Sequence, residues 1–364
     1  MTMRMSDIAK LAGVSIATAS RAFSHPEKLK EDTLERVLTI ARNYSYSPNT
    51  LARAIANRHT ALVGFLLIHK SRPFFDHVFF GAALDGFMER AKARGYHVVL
   101  SGTTKRNDNF EEEFIKDSLA GAVLGTREPD GLIREFRKRG IPVVLINNEA
   151  DSEDVSSAVD DNYGGMRKIM DHLIRERGYT DIAFFSDRVS HYCNLQRYFA
   201  YIDSLTEAGL KPYENPDLPE YDLLDHYRAS QKVMARYGLD SIKRFGTPVI
   251  FSGTDTGNAK RTLQKILPLS KLPRAIVCSD DEIAIGVIKA LQEAGVRVPQ
   301  DVAVTGYDDI KLSGYTTPAL TTVHVDPYNI GASAMDLLQE YITDPDHPAE
   351  TVFLPNELIV RESS

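Results

Sequence analysis

The stretch MSDIAKLAGVSIATASRAF, residues 5–23, decides the fold of the N-terminal part of the chain. It contains two short segments with apolar residues at helical spacing, and Gly13 separates them. Ser6 and Ser15 are suitable N-caps for the two segments. The pattern predicts two small helices that cross closely around the glycine turn, with the following residues turned inward: Ile8, Ala9, Leu11, Ala12, Val14, Ala19, Ala22 and Phe23.

A third apolar-periodic segment, EDTLERVLTIARNY at residues 31–44, is long enough to cover the first two helices. Three such helices are typical of a helix-turn-helix module, in which the second helix enters the major groove of DNA. Arginine can pair with guanine, and small apolar side chains can contact thymine methyl groups. A plain three-helix bundle without DNA contact is the alternative. The outward residues of the second helix, with their predicted partners, are Ile16, Ala17, Ser20 and Arg21 for bases, and Ser15 and Thr18 for phosphates.

The distribution of charge favours the DNA-binding interpretation. The first 60 residues carry nine Lys/Arg and five Asp/Glu, a net charge of +4, whereas the whole chain has a net charge of -7. A basic module on an acidic body indicates a polyanionic partner for the module alone.

Residues 44–60, YSYSPNTLARAIANRHT, follow the third helix. Pro48 ends that helix, Asn49 can cap a new one, and the new helix has barely two turns, which is marginal in water. We predict a hinge helix that orders on DNA, with Arg53 at phosphate and Ile55 wedged into a minor-groove step. A simple surface linker is the competing interpretation.

Residues 5–67 resemble the headpiece and hinge of the lactose-repressor/galactose-repressor family of bacterial transcription regulators. The matching phrases are MSDIAKLAGVSIATASRAF, YSYSPNTLARAIA and HTALVGFLL. The resemblance implies a DNA-binding headpiece at residues 1–47 and a hinge at residues 48–60. It also implies that Ile55 takes the place of a leucine lever, which keeps an apolar wedge of a different shape. The base-reading positions it implies are Ile16, Ala17 and Arg21.

From residue 61 onward, apolar runs that are typical of buried parallel strands alternate with helical segments. The runs are ALVGFLLI, YHVVLS, AGAVLG, IPVVLIN, DIAFFS, PVIFS, RAIVCS and VAVTGY. This alternation predicts doubly wound parallel sheets with ligands at the carboxyl ends of their strands. There are too many strands for one sheet. The predicted fold class is therefore α/β: a helix-turn-helix headpiece and a two-lobed core with a small polar ligand between the lobes.

Several chemistries have no support in the sequence. No G-x-G-x-x-G follows the first strand of the core, and the chain has no P-loop, nucleophile elbow or H-E-x-x-H motif. The histidines are scattered, and Cys193 and Cys278 form no zinc or disulfide pattern, so we expect no cofactor, metal site or enzymatic activity. No apolar run approaches the ~20 residues of a membrane span, and the first residues are too polar for a signal peptide. We expect a cytoplasmic protein without membrane contact.

The body resembles the effector-binding core of the same family, which is similar to periplasmic sugar-binding proteins. The matching phrases include DDEIAIGVIKALQEAGVRVPQDVAVTGYDDI and TPALTTVHVDPYNIGASAMDLL. The resemblance implies three crossings between the lobes, near residues 160, 290 and 322. The implied effector-binding and dimerisation core, residues 61–364, is divided into lobe one at about 61–160 and 291–321, and lobe two at about 161–290 and 322–364.

Five residues are candidate effector contacts. Phe74 and Phe75 follow the first strand of the core, where an aromatic face can pack on a sugar or a base. By resemblance, Arg197 matches the family's cleft arginine and Asp281 its cleft aspartate, while Asn147 lies at the end of a strand. The alternatives are a core ring for one phenylalanine, a surface ion pair for Arg197 and a helix N-terminal charge for Asp281.

We predict a homodimeric, sequence-specific regulator, a repressor of a carbohydrate-related operon, that binds a pseudo-palindromic operator in double-stranded DNA. A small-molecule effector, a sugar, controls it from the core. Ala200 in place of a glycine and an added stretch near residues 225–246 depart from the family pattern, so the resemblance does not identify the effector. A purine-type effector is an alternative, since Phe74 and Phe75 are compatible with either class. Two rivals are weaker: a solute-binding protein leaves residues 1–60 unexplained, and a sugar-processing enzyme lacks suitably placed paired carboxylates.

Overall fold

The computed structural model divides the chain into two units, Met1–Ala61 and Leu62–Ser364. The first unit contains the helices of the headpiece, and the second contains the sheets of the core. No helix among the described residues is long and apolar enough to cross a membrane. The structure describes residues 5–24, 26–44, 46, 62–68, 78–103, 119–126, 129–150, 155–186, 192–213, 249–251, 256–266 and 272–364.

Three helices form the headpiece, as predicted. They are α1 at Met5–Leu11, α2 at Ile16–Ser24 and α3 at Glu31–Asn43, and a 3-10 turn at Pro26–Lys28 precedes α3. Small side chains let the helices approach closely, and one longer residue from each of α1 and α3 completes the buried centre. Its members are Ile8, Ala9, Ala12, Ala19, Ala22 and Val37.

The turn between α1 and α2 has the geometry that the sequence predicts. Gly13 adopts a φ of +63°, a conformation that glycine reaches without a steric penalty. The backbone N–H of Thr18 donates to Ser15 Oγ at 3.1 Å, so Ser15 caps α2. Two details of the prediction for α1 are wrong. The helix begins at Met5, before the predicted cap Ser6, and Leu11 is 51% exposed because it lies roughly 100° around the helix from the buried Ala12.

The second unit is a mixture of strands and helices, numbered along the described chain. The strands are β1 Leu62–Ile68, β2 His97–Thr103, β3 Gly121–Thr126, β4 Val143–Ile146, β5 Ser157–Asp160, β6 Ile182–Ser186, β7 Val249–Phe251, β8 Ala275–Cys278, β9 Ala303–Thr305, β10 Thr322–His324, β11 Thr351–Leu354 and β12 Glu357–Ile359. The helices are α4 Val78–Ala93, α5 Pro129–Lys138, α6 Asn162–Asp171, α7 Tyr192–Glu207, α8 Thr256–Ile266, α9 Asp281–Glu293 and α10 Pro327–Thr343. A π-helical turn, His172–Glu176, continues α6.

Lobe one is built on a six-stranded parallel sheet with the order β11-β5-β4-β3-β1-β2. Every residue of β3 and β4 is buried, which explains why these strands are continuous apolar runs instead of alternating ones. Helix α10 packs along α4 and against β3, β4 and β5. The apolar runs therefore predicted the central strands of this sheet correctly.

Lobe two is built on a four-stranded parallel sheet with the order β7-β6-β8-β9. Helices α6 and α7 pack together, as do α8 and α9. The short strands β10 and β12 pair antiparallel where the chain approaches and leaves lobe one. The two-lobed architecture with parallel sheets is the predicted fold class.

The predicted division of the chain between the lobes is partly wrong. The first crossing follows β5 at residue 160, as expected. Strand β9 pairs with β8 of lobe two, so the chain does not cross near residue 290, and residues 291–321 belong to lobe two. The chain enters lobe one between β10 and α10, slightly after the predicted residue 322, and leaves it after β11. Residues 327–354 thus belong to lobe one. The prediction was wrong because sheet membership depends on long-range pairing, which a strand pattern does not encode.

Candidate functional site

Within the headpiece, the outward side of α2 is exposed and can contact a partner molecule. Ala19 and Ala22 are buried against the other helices, which turns the opposite side of α2 away from the core. On that side Ile16 is 56% exposed, and Ala17 and Arg21 are exposed as well. A large apolar side chain and a guanidinium on one exposed helix face can contact thymine methyl groups and guanine edges.

The hydroxyl groups near the start of α2 extend this surface. Ser15 is exposed, and Thr18 and Ser20 are half-buried. Ser15 Oγ lies 2.9 Å from Thr18 Oγ1, so the two hydroxyls are held together beside the first N–H groups of the helix. Hydroxyl and N–H donors at this position suit a phosphate oxygen. The predicted hinge contacts lie outside the described residues and stay predictions: Asn49, Arg53 and Ile55.

A second candidate site lies at the strand ends of the core, around Arg197. This residue is in α7 and is 6% exposed. Its Nε donates to Asn162 Oδ1 at 2.8 Å, its Nη1 to the carbonyl oxygen of Ser279 at 2.5 Å, and its Nη2 to Asp308 Oδ1 at 3.2 Å. The acceptors come from α6, from the residue after β8 and from the segment after β9. Arg197 is therefore a fixed, buried group and not a surface ion pair.

The guanidinium of Arg197 also stacks on a ring and faces the half-buried carboxyl group of Asp308. Its central carbon lies 3.6 Å from the centroid of the Tyr307 ring. Burial is the largest single influence and lowers the pKa of Arg197, but the surrounding groups Asp308, Tyr307, Cys193 and Asp160 together outweigh it, and the net shift is upward. Burial raises the pKa of Asp308 to about 7, although the charge of Arg197 opposes the shift. The site is thus a charged group held in a poorly hydrated environment, where polar ligand groups interact strongly.

The two adjacent aspartates at the start of α9 have different environments. Asp281 is fully buried, and its carboxylate accepts hydrogen bonds from the Ile310 N–H at 2.8 Å, Ser313 Oγ at 2.7 Å and Thr322 Oγ1 at 2.6 Å. Asp280 is half-buried and caps α9 by accepting from a backbone N–H. Burial is the main cause that raises the pKa of each to about 7. Asp280 is therefore the more accessible carboxylate, although the sequence favoured Asp281.

Asn147 links the two lobes. It follows β4 of lobe one with a φ of 55°, in the left-handed region that few residues other than glycine adopt. The Sγ of Cys193, in the first turn of α7, donates to Asn147 Oδ1 at 2.9 Å. The structure thus brings Asn147 to the same end of α7 as Arg197. Phe74 and Phe75 lie outside the described residues and stay predictions.

Sequence reasoning missed three residues that surround Arg197: Asn162, Tyr307 and Asp308. Each lies two or three residues after the carboxyl end of a strand, β5 or β9. The phrases VDDN and TGYDD therefore contained the signal, because polar residues at such strand ends meet at one edge of parallel sheets. Asp308 and Asp309 also have positive φ values, 104° and 49°, which the sequence alone does not reveal.

A basic three-helix unit with an open recognition helix, joined to a two-lobed core with polar groups at its strand ends, is the organisation of a DNA-binding regulator that responds to a small ligand. Family models agree along the chain. The model for "Bacterial regulatory proteins, lacI family" matches residues 4–49. "Periplasmic binding proteins and sugar binding domain of LacI family" matches residues 60–236, and "Periplasmic binding protein-like domain" matches residues 170–364. The chain belongs to the LacI family of bacterial transcription regulators.

Curated relatives match over nearly their whole length. The HTH-type transcriptional repressor PurR of Erwinia tasmaniensis is 28% identical over 98% of this chain and 95% of its own. The probable HTH-type transcriptional repressor ExuR of Bacillus subtilis is 26% identical over 98% of this chain and 97% of its own.

Solved structures match the fold. A lac repressor dimer bound to operator and the anti-inducer ONPF has a TM-score of 0.81 at 19% identity, and covers 100% of this chain and 99% of its own. The transcriptional regulator CelR in complex with cellobiose has a TM-score of 0.70 at 23% identity, with full coverage of both chains. The likeness extends over headpiece and core alike.

Proposed function

We propose that this protein is a homodimeric transcriptional repressor that reads a pseudo-palindromic operator with α2 and is controlled by a small-molecule effector bound between the lobes. The observation that carries the proposal is the open face of α2, where Ile16, Ala17 and Arg21 are exposed on a helix whose other face is packed. One such helix makes few base contacts, and a two-fold dimer doubles them. A repressor acts on DNA, so we assign it to the cytoplasm.

The names of the relatives support this proposal. PurR and ExuR are described as transcriptional repressors, and one structural neighbour is a dimer on its operator. None of these names describes an enzyme, and we propose that this chain is not one. The core binds its ligand to change the affinity for DNA, a coupling that is typically about 1–3 kcal/mol.

We propose a sugar as the effector. Asp280 and Asp308 supply carboxylate acceptors near the donors of Arg197, and such alternating groups suit the hydroxyls of a carbohydrate. A neighbour bound to cellobiose supports the same class of ligand. A purine-type effector is the second candidate, because several relatives are named PurR.

Arg21→Ala tests the DNA-reading face. We expect the variant to lose discrimination at one position of each half-site, by about 1–3 kcal/mol, because a guanidinium reads guanine through two hydrogen bonds. The preferred operator is first selected from random duplex DNA, and binding of single-base variants is then measured at several salt concentrations.

Arg36→Ala is the matched control, since Arg36 is exposed on α3 and its loss removes the same charge from the headpiece. It should leave base discrimination unchanged. Binding without salt dependence or sequence preference in the parent protein, or equal loss of discrimination in both variants, contradicts the proposal.

Thermal-shift screening of the full-length protein tests the effector class. The panel contains neutral sugars, sugar phosphates, uronic acids and purines, because a ligand that binds only the native state raises the melting temperature. We expect neutral sugars to give the largest shifts and to alter operator affinity. A shift with purines alone favours the second candidate, and no shift with any compound argues against ligand control.

A further inference from the structure

Three side chains from separate parts of the sequence meet where the chain passes between the lobes. Asp160 is the last residue of β5, Tyr307 follows β9, and Asn356 lies between β11 and β12. The Tyr307 hydroxyl donates to Asp160 Oδ2 at 2.7 Å, and Asn356 Nδ2 donates to Asp160 Oδ1 at 2.9 Å. Asp160 and Tyr307 are fully buried, and Asn356 is half-buried. We call these three side chains the crossover node.

The node joins the segments that cross between the lobes. Asp160 ends strand β5 of lobe one, directly before the first crossing. Asn356 lies in the last crossing, between β11 and β12. Tyr307 belongs to lobe two, and its neighbour Asp308 donates its N–H to the carbonyl oxygen of Val323 in β10, just before the second crossing. The node thus joins residues of both lobes by hydrogen bonds at the place where the chain passes between them.

The surroundings hold the node in one arrangement. Lys168 Nζ donates to Asn356 Oδ1 at 2.8 Å, which fixes the direction of the amide, and Asn356 Nδ2 also donates to the carbonyl oxygen of Asp161 at 2.8 Å. Gly165 in α6 lets the Tyr307 hydroxyl approach the helix backbone closely, since a Cβ there would lie 2.1 Å from the hydroxyl oxygen. Burial raises the pKa of Asp160, so this carboxyl group is kept at a cost unless its hydrogen bonds are formed. A network of this kind specifies one geometry better than apolar packing does.

The node is also in direct contact with the candidate effector site. The guanidinium of Arg197 lies on the Tyr307 ring, 3.6 Å from its centroid, while the hydroxyl of the same ring bonds Asp160. A ligand that moves Arg197 therefore disturbs the ring whose other end holds the crossing segments together.

We propose that the crossover node is a positioning device that holds the lobes at one angle and couples Arg197 to that angle. Tyr307 and Asn356 act as positioning residues through Asp160, and they need not touch the effector. The inference rests on the proposed function in that it gives ligand control a structural route. It differs from a purely stabilising role, since it concerns the spread of lobe angles and not only the free energy of unfolding.

The distance between the lobes tests the proposal in the full-length protein without DNA or effector. Nitroxide labels are attached at Lys138→Cys in lobe one and Lys289→Cys in lobe two, both exposed positions. The native thiols are buried, and burial raises the pKa of Cys193 to about 12, so they do not compete for label. Labelled protein is diluted with unlabelled protein, so that distances within one protomer are measured by pulsed electron paramagnetic resonance.

We expect a narrow distance distribution for the parent and at least a twofold broader or a displaced one for Tyr307→Phe and Asn356→Ala. Tyr201→Phe is the matched control, because the Tyr201 hydroxyl is buried, donates to the carbonyl oxygen of Ile182 at 2.7 Å and lies outside the node. It should lower the melting temperature and keep the distribution narrow. If Asn356→Ala fails to fold, Gly165→Ala replaces it, since it disturbs the node without removing a hydrogen-bonding group.

Distributions with the width and the mean distance of the parent's in both node variants, or an equal change in Tyr201→Phe, overturn the proposal. Arg197→Lys keeps the positive charge and loses the planar stack on Tyr307, and it should broaden the distribution too. A narrow distribution in that variant overturns the link between the node and the effector site. A protein that fails to bind DNA leaves these distances measurable, so the failure of the proposed function is distinguishable from the failure of this inference.

Discussion

Asp308 has a backbone φ of 104°, and its carboxylate accepts a hydrogen bond from Arg197. A non-glycine residue in this region is strained by about 1–3 kcal/mol, and Asp and Asn are among the side chains that tolerate it best. The next residue, Asp309, also has a positive φ, and its carboxylate pairs with Arg361 at 2.7 Å. The strained turn thus places each carboxylate beside an arginine. We interpret the strain at Asp308 as the energetic consequence of orienting its carboxylate toward Arg197.

The raised pKa of Asp308 leads to a prediction of how the stability of the protein depends on pH. Burial raises the pKa of Asp308 from its ordinary value of 3.8 to about 7 in the folded protein, so between these two pH values the folded state binds a proton that the unfolded state has lost. Stability should therefore fall as the pH rises from about 4 to 7, by at most about 1.4 kcal/mol per pH unit for this one group. Asp308→Asn stays neutral and should reduce that slope, as measured by urea denaturation at pH 5 and pH 7.

Asp301→Asn is the control for this experiment. The side chain of Arg297 holds the pKa of Asp301 at about 2, so its charge does not change between pH 5 and pH 7. The control variant should keep the parent slope. Asp280 and Asp281 shift in the same direction as Asp308, so the slope should decrease in Asp308→Asn and not vanish. An unchanged slope in Asp308→Asn means that Asp308 is ionised throughout this range.

At the scale of elements, two glycines allow α4 and α10 to pack with their backbones in contact. A Cβ on Gly331 would lie 1.8 Å from the carbonyl oxygen of Ala83, and one on Gly86 would lie 2.0 Å from the carbonyl oxygen of Tyr328. Backbone atoms cannot move aside as a flexible side chain does. Gly331→Ala should therefore destabilise the core by about 1–3 kcal/mol, the usual penalty of overpacking, as measured by chemical denaturation.

Gly81→Ala provides the matched control on α4. No atom lies within 4 Å of a Cβ built at Gly81, so alanine fits there without a clash. Alanine also favours the helix by up to about 1 kcal/mol relative to glycine. Gly331→Ala should thus lower the free energy of unfolding, and Gly81→Ala should raise it or leave it unchanged. If Gly331→Ala does not lower the free energy of unfolding relative to Gly81→Ala, the two helices can separate without a large cost.

The elements also show how far a sequence leads. Strands β1, β3 and β8 were predictable because both of their faces are covered, which makes them continuous apolar runs. Strands β10 and β12 have three residues each and no such run, so the sequence did not predict them. The predicted lobe for β9 was wrong because strand pairing is long-range. The crossover node was beyond reach for the same reason, since Asp160 and Asn356 are 196 residues apart. Arg197 was found by resemblance, and its buried partners were found by the structure.

At the scale of the whole molecule, charge and function are divided between two units. The first 60 residues carry a net charge of +4, and the remainder makes the whole chain acidic. The headpiece forms its own small core from α1, α2 and α3, and the core of Leu62–Ser364 uses none of those residues. The core should therefore keep its ligand-binding activity when the headpiece is absent.

A chain of residues 62–364 tests this division. We expect it to fold, to show the thermal shifts of the full-length protein with the same compounds, and to bind no DNA, because its surface is acidic and repels the phosphate backbone. The full-length protein should lose operator affinity steeply as salt increases, since the Lys and Arg of the headpiece release counterions from phosphates. The measurements are calorimetry for stability and fluorescence anisotropy with labelled operator for binding. If the shortened chain retained salt-dependent operator binding, the DNA-reading surface would lie in the core and the assignment to α2 would be wrong.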